Sequence, residues 1–215
     1  MGILLDSANL DDVRKAAELG WVSGVTTNPG ILAKVKGRPE DVIDSICRVS
    51  PGPVFYQVIA ATLAEREQEG RRFSDICRDK VVLKIPATTE NMTLVAKLSE
   101  EIPCAVTAVY AAHQALAGCA AGARYLIPYV NRATRLLGDG LALVTELAKV
   151  VAASGTPTEI VAASIKSAAE AAATVAAGAQ HLTMPLDVIL TLGNHPLSDQ
   201  AIAEFDTAWR AKADR

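Results

Sequence analysis

VVLKIPAT, residues 81–88, is the stretch from which the architecture of this chain can first be read. Its residues 81–86 form a short apolar run, which is typical of a strand that is buried on both faces of a parallel sheet. A helical pattern follows at 90–100, so this part of the sequence predicts one strand–helix unit. Lys84 interrupts the apolar run and raises the question of why an ammonium group would lie inside a buried strand.

The same unit recurs along the whole chain, because eight short apolar runs alternate with amphipathic or alanine-rich segments. The predicted strands are 3–6, 22–28, 54–58, 81–86, 104–109, 125–130, 159–164 and 181–185. The predicted helices are 9–19, a helix that runs to 49 with a break at 37–39, 62–77, 90–100, 110–120, 134–153, 167–177 and 186–192. A further helix, 198–211, follows Pro196, with a Ser198 cap.

Eight βα units predict a closed (β/α)8 barrel of the α/β class, a TIM barrel. We expect a single domain over residues 1–215 with 198–211 as an additional C-terminal helix, because no linker rich in Gly, Ser or Pro interrupts the pattern. The structural alternative is a doubly wound open sheet. Its glycine fingerprint is missing after the first strand, where LLDSANLDD (4–12) stands.

The composition argues against two classes of partner. Half of the residues are apolar, 21% are charged and the net charge is −3, with both signs interspersed. There is no basic stripe for nucleic acid and no polybasic segment for a membrane surface. The first residues, MGILLDSANL, lack the pattern of a signal peptide, and no apolar run approaches the ~18 residues that span a bilayer. We therefore expect no nucleic-acid or membrane partner and a cytoplasmic location.

The cysteines and histidines are scattered rather than grouped. They are Cys47, Cys77, Cys104 and Cys119, and His113, His181 and His195. No pair has the spacing of metal ligands, and isolated cysteines are typical small buried apolar residues. The sequence therefore predicts no metal site and no cofactor held by these residues.

Polar residues stand where most of the predicted strands end, and in a barrel the active site lies at that rim. They are Asp6, Thr26, Asn28, Gln57, Lys84, Thr107, Tyr129, Asn131, Arg132, Ser164 and Lys166. Each has an ordinary structural explanation, since Asp6 or Ser164 could cap a helix and Thr107 suits a strand. A convergent set on one rim favours a functional site, because buried polar groups are costly unless they are partnered.

Lys84 is the strongest candidate in this set. Burial disfavours the charged form of a lysine and lowers its pKa, and a lysine with a pKa of about 7 is half free amine at neutral pH. A free amine at the mouth of a barrel can attack a carbonyl group and form a Schiff base. The alternative is an ion pair between Lys84 and Asp6 or another carboxylate of the rim.

Several segments together resemble the transaldolase family, especially its short barrel subgroup, which includes fructose-6-phosphate aldolase. They are LLDSAN (4–9), GVTTNP (24–29), VFYQV (54–58), VVLKIPAT (81–88), TAVY (107–110), PYVNR (128–132), AASIK (162–166) and TMPLDV (183–188). They fall in order on the eight predicted strands and cover most of the chain. The resemblance supports the barrel and implies carbon–carbon bond chemistry on sugars.

The resemblance also implies a role for individual residues. Lys84 matches the family's Schiff-base lysine, and Asp6 matches the carboxylate that positions the substrate and moves protons. In the aldolase subgroup, three residues hold a catalytic water beside the imine, and they match Gln57, Thr107 and Tyr129.

The family's substrate-binding residues match a second group of positions. Thr26 and Asn28 match the segment that lines the sugar hydroxyls, and Arg132 and Ser164 match phosphate-binding positions. Lys166, in the same segment as Ser164, is also predicted to bind the substrate. The alanines that follow Lys166 and Ser167 depart from the family's pattern, so the phosphate site is expected to be weaker or differently built.

Two positions separate the activities within the family. Transaldolases have a glutamate and a phenylalanine where this chain has Gln57 and Tyr129. The resemblance therefore implies a class I aldolase, a lyase that cleaves or forms fructose 6-phosphate from dihydroxyacetone and glyceraldehyde 3-phosphate. The alternatives are a transaldolase of the pentose phosphate pathway and a barrel that binds sugar phosphates without turnover.

The final helix carries an apolar stripe at Ile202, Phe205 and Trp209. The stripe shows only that one face of the helix is expected to be buried, on its own barrel or on a neighbour. Short members of the family assemble into rings of five, often stacked in pairs. The resemblance thus implies a homo-oligomer, a pentamer or decamer, in which this helix contacts the adjacent subunit.

Overall fold

The fold is a closed barrel of parallel strands surrounded by helices, as the sequence predicts. A computed structural model describes residues 1–213, and eight strands close the barrel within this range in the order β1 to β8. The strands are β1 Gly2–Asp6, β2 Val22–Thr26, β3 Val54–Gln57, β4 Val81–Pro86, β5 Cys104–Val109, β6 Tyr125–Pro128, β7 Glu159–Ala162 and β8 His181–Met184. Since β1 pairs with β8 as well as with β2, the predicted (β/α)8 barrel is confirmed and the open sheet is excluded.

Helices follow each strand on the outside of the barrel. Within residues 1–213 they are α1 Leu10–Glu18, α2 Pro29–Leu32, α3 Pro39–Val49, α4 Leu63–Ile76, α5 Thr89–Leu98, α6 Ala112–Ala120, α7 Val130–Leu137, α8 Gly140–Ser154, α9 Ala168–Ala176, α10 Leu186–Thr191 and α11 Pro196–Ala213. The single domain predicted for 1–215 stays a prediction, and Asp214 and Arg215 lie outside the described residues.

Two predicted helices need correction. The helix predicted at 134–153 is two helices, α7 and α8, because Gly138 adopts a positive φ of 97° that ends the first. Asp139 then begins the second by accepting hydrogen bonds from the backbone N–H groups of Leu141 and Ala142, both at 2.9 Å. The C-terminal helix begins at Pro196, two residues before the predicted start at 198.

The strands bury both of their faces. One set of side chains fills the barrel interior: Leu4, Phe55, Val82, Ala105, Ile127, Val161 and Ala163. Alternating residues such as Leu5, Val54 and Leu83 point outward and pack with the helices in a second cluster. Fully burying one large aliphatic or aromatic side chain stabilises a fold by about 1.5–3 kcal/mol. Because the side chains on both faces of each strand are buried in this way, the strands appear in the sequence as continuous apolar runs.

A buried carboxylate fixes the loop that follows β3. Glu69 on α4 is 7% exposed and accepts hydrogen bonds from Tyr56 Oη at 2.6 Å, from Ile59 N at 2.9 Å and from Ala60 N at 2.8 Å. The Tyr56 ring also stacks on Phe73, with 3.6 Å between the ring centroids. Glu69 therefore contacts the chain on both sides of the end of β3, where Gln57 lies.

Replacing Glu69 with alanine is expected to lower the free energy of unfolding by about 2–4 kcal/mol, because the buried Tyr56 hydroxyl and two partly buried backbone N–H groups lose their shared acceptor. Urea unfolding of parent and variant measures the difference. Glu65→Ala on the same helix is the matched control, since Glu65 forms an exposed capping box with Thr62 and should matter much less. Equal losses for the two variants would contradict this account of Glu69.

None of the helices within residues 1–213 combines the length and the apolar character that a membrane crossing requires.

Candidate active site

A polar cavity of about 310 Å³ lies at the carboxyl ends of the strands. It is lined by Asp6, Asn28, Pro29, Gln57, Lys84, Tyr129, Arg132, Ala163, Ser164 and Lys166. Hollows of similar volume occur elsewhere on the surface, so volume does not identify the site. The cavity is identified as the candidate site by its position at the rim of the barrel and by its polar lining. Ten residues are predicted from the sequence to be catalytic or to bind the substrate; eight of them line this cavity, and Thr26 and Thr107 lie behind it.

Lys84 is buried in the cavity wall on β4, with only 3% of the residue exposed. Its Nζ donates a hydrogen bond to the backbone oxygen of Thr27 at 2.8 Å. Burial lowers the pKa of Lys84 from 10.5 to about 8, while the negative charge of Asp6 acts in the opposite direction. At pH 7 the free-amine fraction is then about a tenth, roughly 300 times that of an unperturbed lysine.

The ion pair considered as an alternative for Lys84 is not present in the described part of the chain. The ion pairs within residues 1–213 join other side chains, and none includes Lys84. Asp6 influences the pKa of the amine through its charge without forming such a contact. Lys84 is therefore a buried amine whose neighbour is a neutral carbonyl group, and this makes its charged form costly.

Asp6, at the end of β1, accepts a hydrogen bond from Thr26, which in turn contacts Thr183. Thr26 Oγ1 donates to Asp6 Oδ1 at 2.8 Å and also contacts Thr183 Oγ1 at 2.6 Å. Both threonines are almost completely buried, so Thr26 supports the carboxylate instead of lining the cavity. Thr183 is missing from the predicted site residues, although it begins the TMPLDV segment (183–188) of the resemblance.

Thr107 and Tyr129 form a hydrogen-bonded pair at the neighbouring strands β5 and β6. Their hydroxyl oxygens are 3.2 Å apart, and burial raises the pKa of the Tyr129 phenol while the contact with Thr107 acts in the opposite direction. A bulge after Thr107, at which Ala108 has a φ of 58°, shifts the register of β5 against β6. The phenol and Gln57 both line the cavity, so two groups with exchangeable protons lie in the same space as Lys84.

Asn28 combines a structural role with its place in the cavity wall. Its Oδ1 accepts a hydrogen bond from Ile31 N at 3.0 Å and caps α2. The side chain nevertheless lines the cavity beside Asp6. The sequence places Asn28 in the second predicted strand, 22–28, but β2 ends at Thr26.

One side of the cavity is cationic. Arg132 and Lys166 are exposed residues at the mouth, and the Arg132 guanidinium lies 5.0 Å from the centre of the Tyr129 ring. Ser164 lines the same cavity and has a positive φ of 63°, a strained conformation for a residue with a side chain. Two cations and a hydroxyl suit the binding of an anion such as a phosphate group.

The arrangement can support chemistry at a carbonyl group. A buried amine with a lowered pKa can act as a nucleophile, and a carboxylate and a phenol in the same cavity can exchange protons with a bound substrate. The cationic side is suited to bind the end of a substrate that carries an anion. The cavity is therefore a candidate active site for a phosphorylated carbonyl compound.

Comparisons with known proteins agree with this description. A family model described as transaldolase/fructose-6-phosphate aldolase matches residues 3–215. A protein named "Probable transaldolase" from Methanococcus maripaludis strain C5 is 38% identical over the full length of both chains. A protein of the same name from Desulforapulum autotrophicum is 35% identical, and "Probable transaldolase 1" from Bacillus cereus is 36% identical, again over the full length of each chain.

Proposed function

Because this chain belongs to the transaldolase/fructose-6-phosphate aldolase family, we propose that it is a class I aldolase that forms a Schiff base through Lys84. The reaction is the cleavage of fructose 6-phosphate to dihydroxyacetone and glyceraldehyde 3-phosphate, or its reverse. One observation carries the proposal: a buried lysine with a pKa of about 8 lines a polar cavity at the rim of the barrel.

The amine of Lys84 attacks the C2 carbonyl of the sugar, and loss of water leaves an iminium ion. When the C3–C4 bond breaks, the iminium nitrogen accepts its electron pair, while Asp6 takes the proton of the C4 hydroxyl. Glyceraldehyde 3-phosphate leaves, and a three-carbon enamine remains on Lys84. Protonation of the enamine and addition of water then release dihydroxyacetone and regenerate the amine.

Tyr129, Gln57 and Thr107 serve the proton transfers in this scheme. Tyr129 supplies a phenol that can protonate the enamine, and its contact with Thr107 at 3.2 Å holds the phenol oxygen in place. Gln57 is an amide that stays neutral where a glutamate could act as a base. A chain with these groups is expected to complete the release of the three-carbon unit and not to store it.

Transaldolase activity is the second candidate, and the names of the relatives favour it. A transaldolase must keep the enamine until a second aldehyde arrives. The two activities therefore differ in the fate of the same intermediate, and both use the same lysine. The choice of aldolase depends on Gln57 and Tyr129, which are predicted site residues.

Product analysis with fructose 6-phosphate separates the two activities. The protein is incubated with this substrate alone and with erythrose 4-phosphate added, and free dihydroxyacetone is measured in both cases. We expect dihydroxyacetone to be released at a similar rate without the acceptor. If products form only when erythrose 4-phosphate is present, the protein is a transaldolase.

The apolar stripe of α11 supports a proposal about assembly. Ile202, Phe205 and Trp209 are 60%, 71% and 71% exposed, so the helix does not bury this stripe on its own barrel. The family resemblance indicates a second copy of the chain as the occupant. We propose that α11 packs on an adjacent subunit of a homo-oligomer, which the resemblance makes a pentamer or decamer.

Replacing Phe205 and Trp209 together with serine is expected to reduce the molar mass measured by light scattering, because the apolar contact between subunits is lost. Glu204→Ser with Asp206→Ser, on the same helix, is the matched control and should leave the assembly intact. A doubly substituted Phe205/Trp209 variant with the same mass as the parent protein would contradict the role of α11.

A further inference from the structure

The turn that follows β7 and the start of α7 form the cationic side of the cavity, and backbone hydrogen bonds connect them. Val130 N donates to Ala163 O at 2.9 Å, and Asn131 N donates to Ser164 O at 3.2 Å. These bonds place Ser164 beside the first turn of the helix that carries Arg132. The two segments that supply the candidate anion-binding groups are thus directly joined.

Glu170 makes a further connection between the same two segments. It lies in the first turn of α9, and its Oε2 accepts a hydrogen bond from the backbone N–H of Lys166 at 2.6 Å. Its Oε1 accepts a hydrogen bond from Asn131 Nδ2 at 3.1 Å. One carboxylate therefore holds the residue before Arg132 and the backbone of Lys166 at the same time.

Glu170 is negatively charged, which is unexpected for a residue beside a candidate anion-binding site. A carboxylate close to an anion-binding site lowers the affinity for a phosphate group, because like charges repel. Among residues 1–213, the ion pairs do not include Glu170, so its charge is not used to neutralise a neighbouring cation. Both oxygens accept instead from neutral N–H groups. A geometric role explains the residue better than an electrostatic one.

We propose that Glu170 is a positioning residue that holds the Ser164–Lys166 turn against the start of α7 in the arrangement that binds the phosphate group of the substrate. The inference rests on the proposed function for the identity of the substrate. It also concerns the segment SIKSAAEA (164–171), in which the alanines that follow Lys166 and Ser167 depart from the family's pattern. In this proposal the Glu170 carboxylate shapes the phosphate site through Asn131 and the backbone of Lys166, and it does not contact the phosphate group itself.

The test compares two aldehydes in the synthetic direction, with dihydroxyacetone as the common partner. The aldehydes are glyceraldehyde 3-phosphate and glyceraldehyde, which differ only in the phosphate group. For Glu170→Ala we expect KM for glyceraldehyde 3-phosphate to rise about tenfold, an effect typical of one or two lost hydrogen bonds. KM for glyceraldehyde and kcat with either aldehyde should stay within about twofold of the parent values.

Three variants separate positioning from charge. Asn131→Ala should raise the same KM, and the double variant with Glu170→Ala should be no worse than the more impaired single variant. Glu170→Gln should restore most of the loss, because its amide can pair with Asn131 and still accept from Lys166 N. Glu146→Ala, which removes an exposed carboxylate on the neighbouring α8, is the matched control and should not change KM.

An unchanged or lower KM for glyceraldehyde 3-phosphate in Glu170→Ala would overturn the inference, and so would an equal rise for glyceraldehyde. A second readout does not need turnover: inorganic phosphate should raise the melting temperature of the parent and of Glu146→Ala more than that of Glu170→Ala. Equal shifts in all three proteins would also overturn it. A parent that shows the phosphate effect but condenses neither aldehyde would refute the proposed function and leave the positioning role supported.

Discussion

Lys84→Met is expected to lower turnover of fructose 6-phosphate by at least about 10³-fold and, at neutral pH, to make the protein more stable. Turnover is lost because methionine cannot form an imine. Stability rises because lowering the pKa of Lys84 from 10.5 to about 8 corresponds to about 3 kcal/mol, the cost of keeping this buried amine charged. The lost hydrogen bond to Thr27 O offsets part of this gain, so the net increase should be about 1–3 kcal/mol.

The pH dependence of the stability identifies the cause. The folded protein releases the Lys84 proton at a pKa of about 8, and the unfolded chain releases it near 10.5. Between these values the unfolded chain binds more protons, so the free energy of unfolding of the parent rises with pH relative to the methionine variant. The advantage of Lys84→Met should be complete below pH 8 and should shrink as the pH rises towards 10.5.

Urea unfolding at several pH values measures this advantage directly. Lys97→Met, which replaces an exposed lysine on α5, is the matched control and should give a protein with nearly unchanged activity and stability. If Lys84→Met is less stable than the parent at pH 7, or if its advantage does not depend on pH, Lys84 is not the destabilised amine described here.

The second large effect concerns Tyr129. Tyr129→Phe removes the hydroxyl that contacts Thr107 and leaves the ring, with its edge-on contact to Tyr110, in place. Release of free dihydroxyacetone should fall about 10²-fold or more, as expected when a general acid is lost. Formation of the enamine on Lys84 does not need this phenol to the same extent, so transfer to an added acceptor aldehyde should fall much less.

Dihydroxyacetone release and transfer to erythrose 4-phosphate are measured on the same preparation of the variant. Tyr125→Phe is the matched control, because Tyr125 stands at the opposite end of β6, away from the cavity. A variant that loses release and transfer equally would show that the phenol serves the steps before cleavage. A variant that keeps full release would remove Tyr129 from the catalytic residues.

The barrel could be predicted from the sequence because its strands are buried on both faces. Runs such as VVLKIP (81–86) are apolar apart from Lys84. Eight such runs, separated by helical patterns, are compatible with few folds other than a closed barrel. The division of 134–153 into α7 and α8 could not be predicted from the pattern of apolar residues. It depends on the positive φ of Gly138 and on the cap made by Asp139, although both residues are visible in the sequence.

The cavity residues could be predicted for a related reason. Lys84, Asp6 and Gln57 stand at strand ends, and in a barrel these ends share one rim. The periodicity of the sequence does not tell which of these side chains reach the cavity and which are buried behind others. Thr26 looks like a rim residue in the sequence, but its side chain turns to Asp6 and Thr183.

Glu170 could not be recognised from the sequence as a residue that joins two segments. The spacing of Ser167 and Glu170 fits a helix cap, and Ser167 indeed accepts from Glu170 N at 3.1 Å. The carboxylate, however, reaches Asn131, which is 39 residues away in the chain. Contacts of this range follow from the parallel pairing of β6 with β7, which brings the carboxyl ends of the two strands together.

The central claim is that Lys84 attacks a carbonyl group as a free amine, and chemical trapping tests it most directly. The protein is incubated with saturating dihydroxyacetone, sodium borohydride is added, and the modified peptide is found by mass spectrometry. We expect one reduced dihydroxyacetone unit per chain, attached to Lys84. An unchanged mass, or modification at other lysines only, would contradict the account and would favour a barrel that binds sugars without turnover.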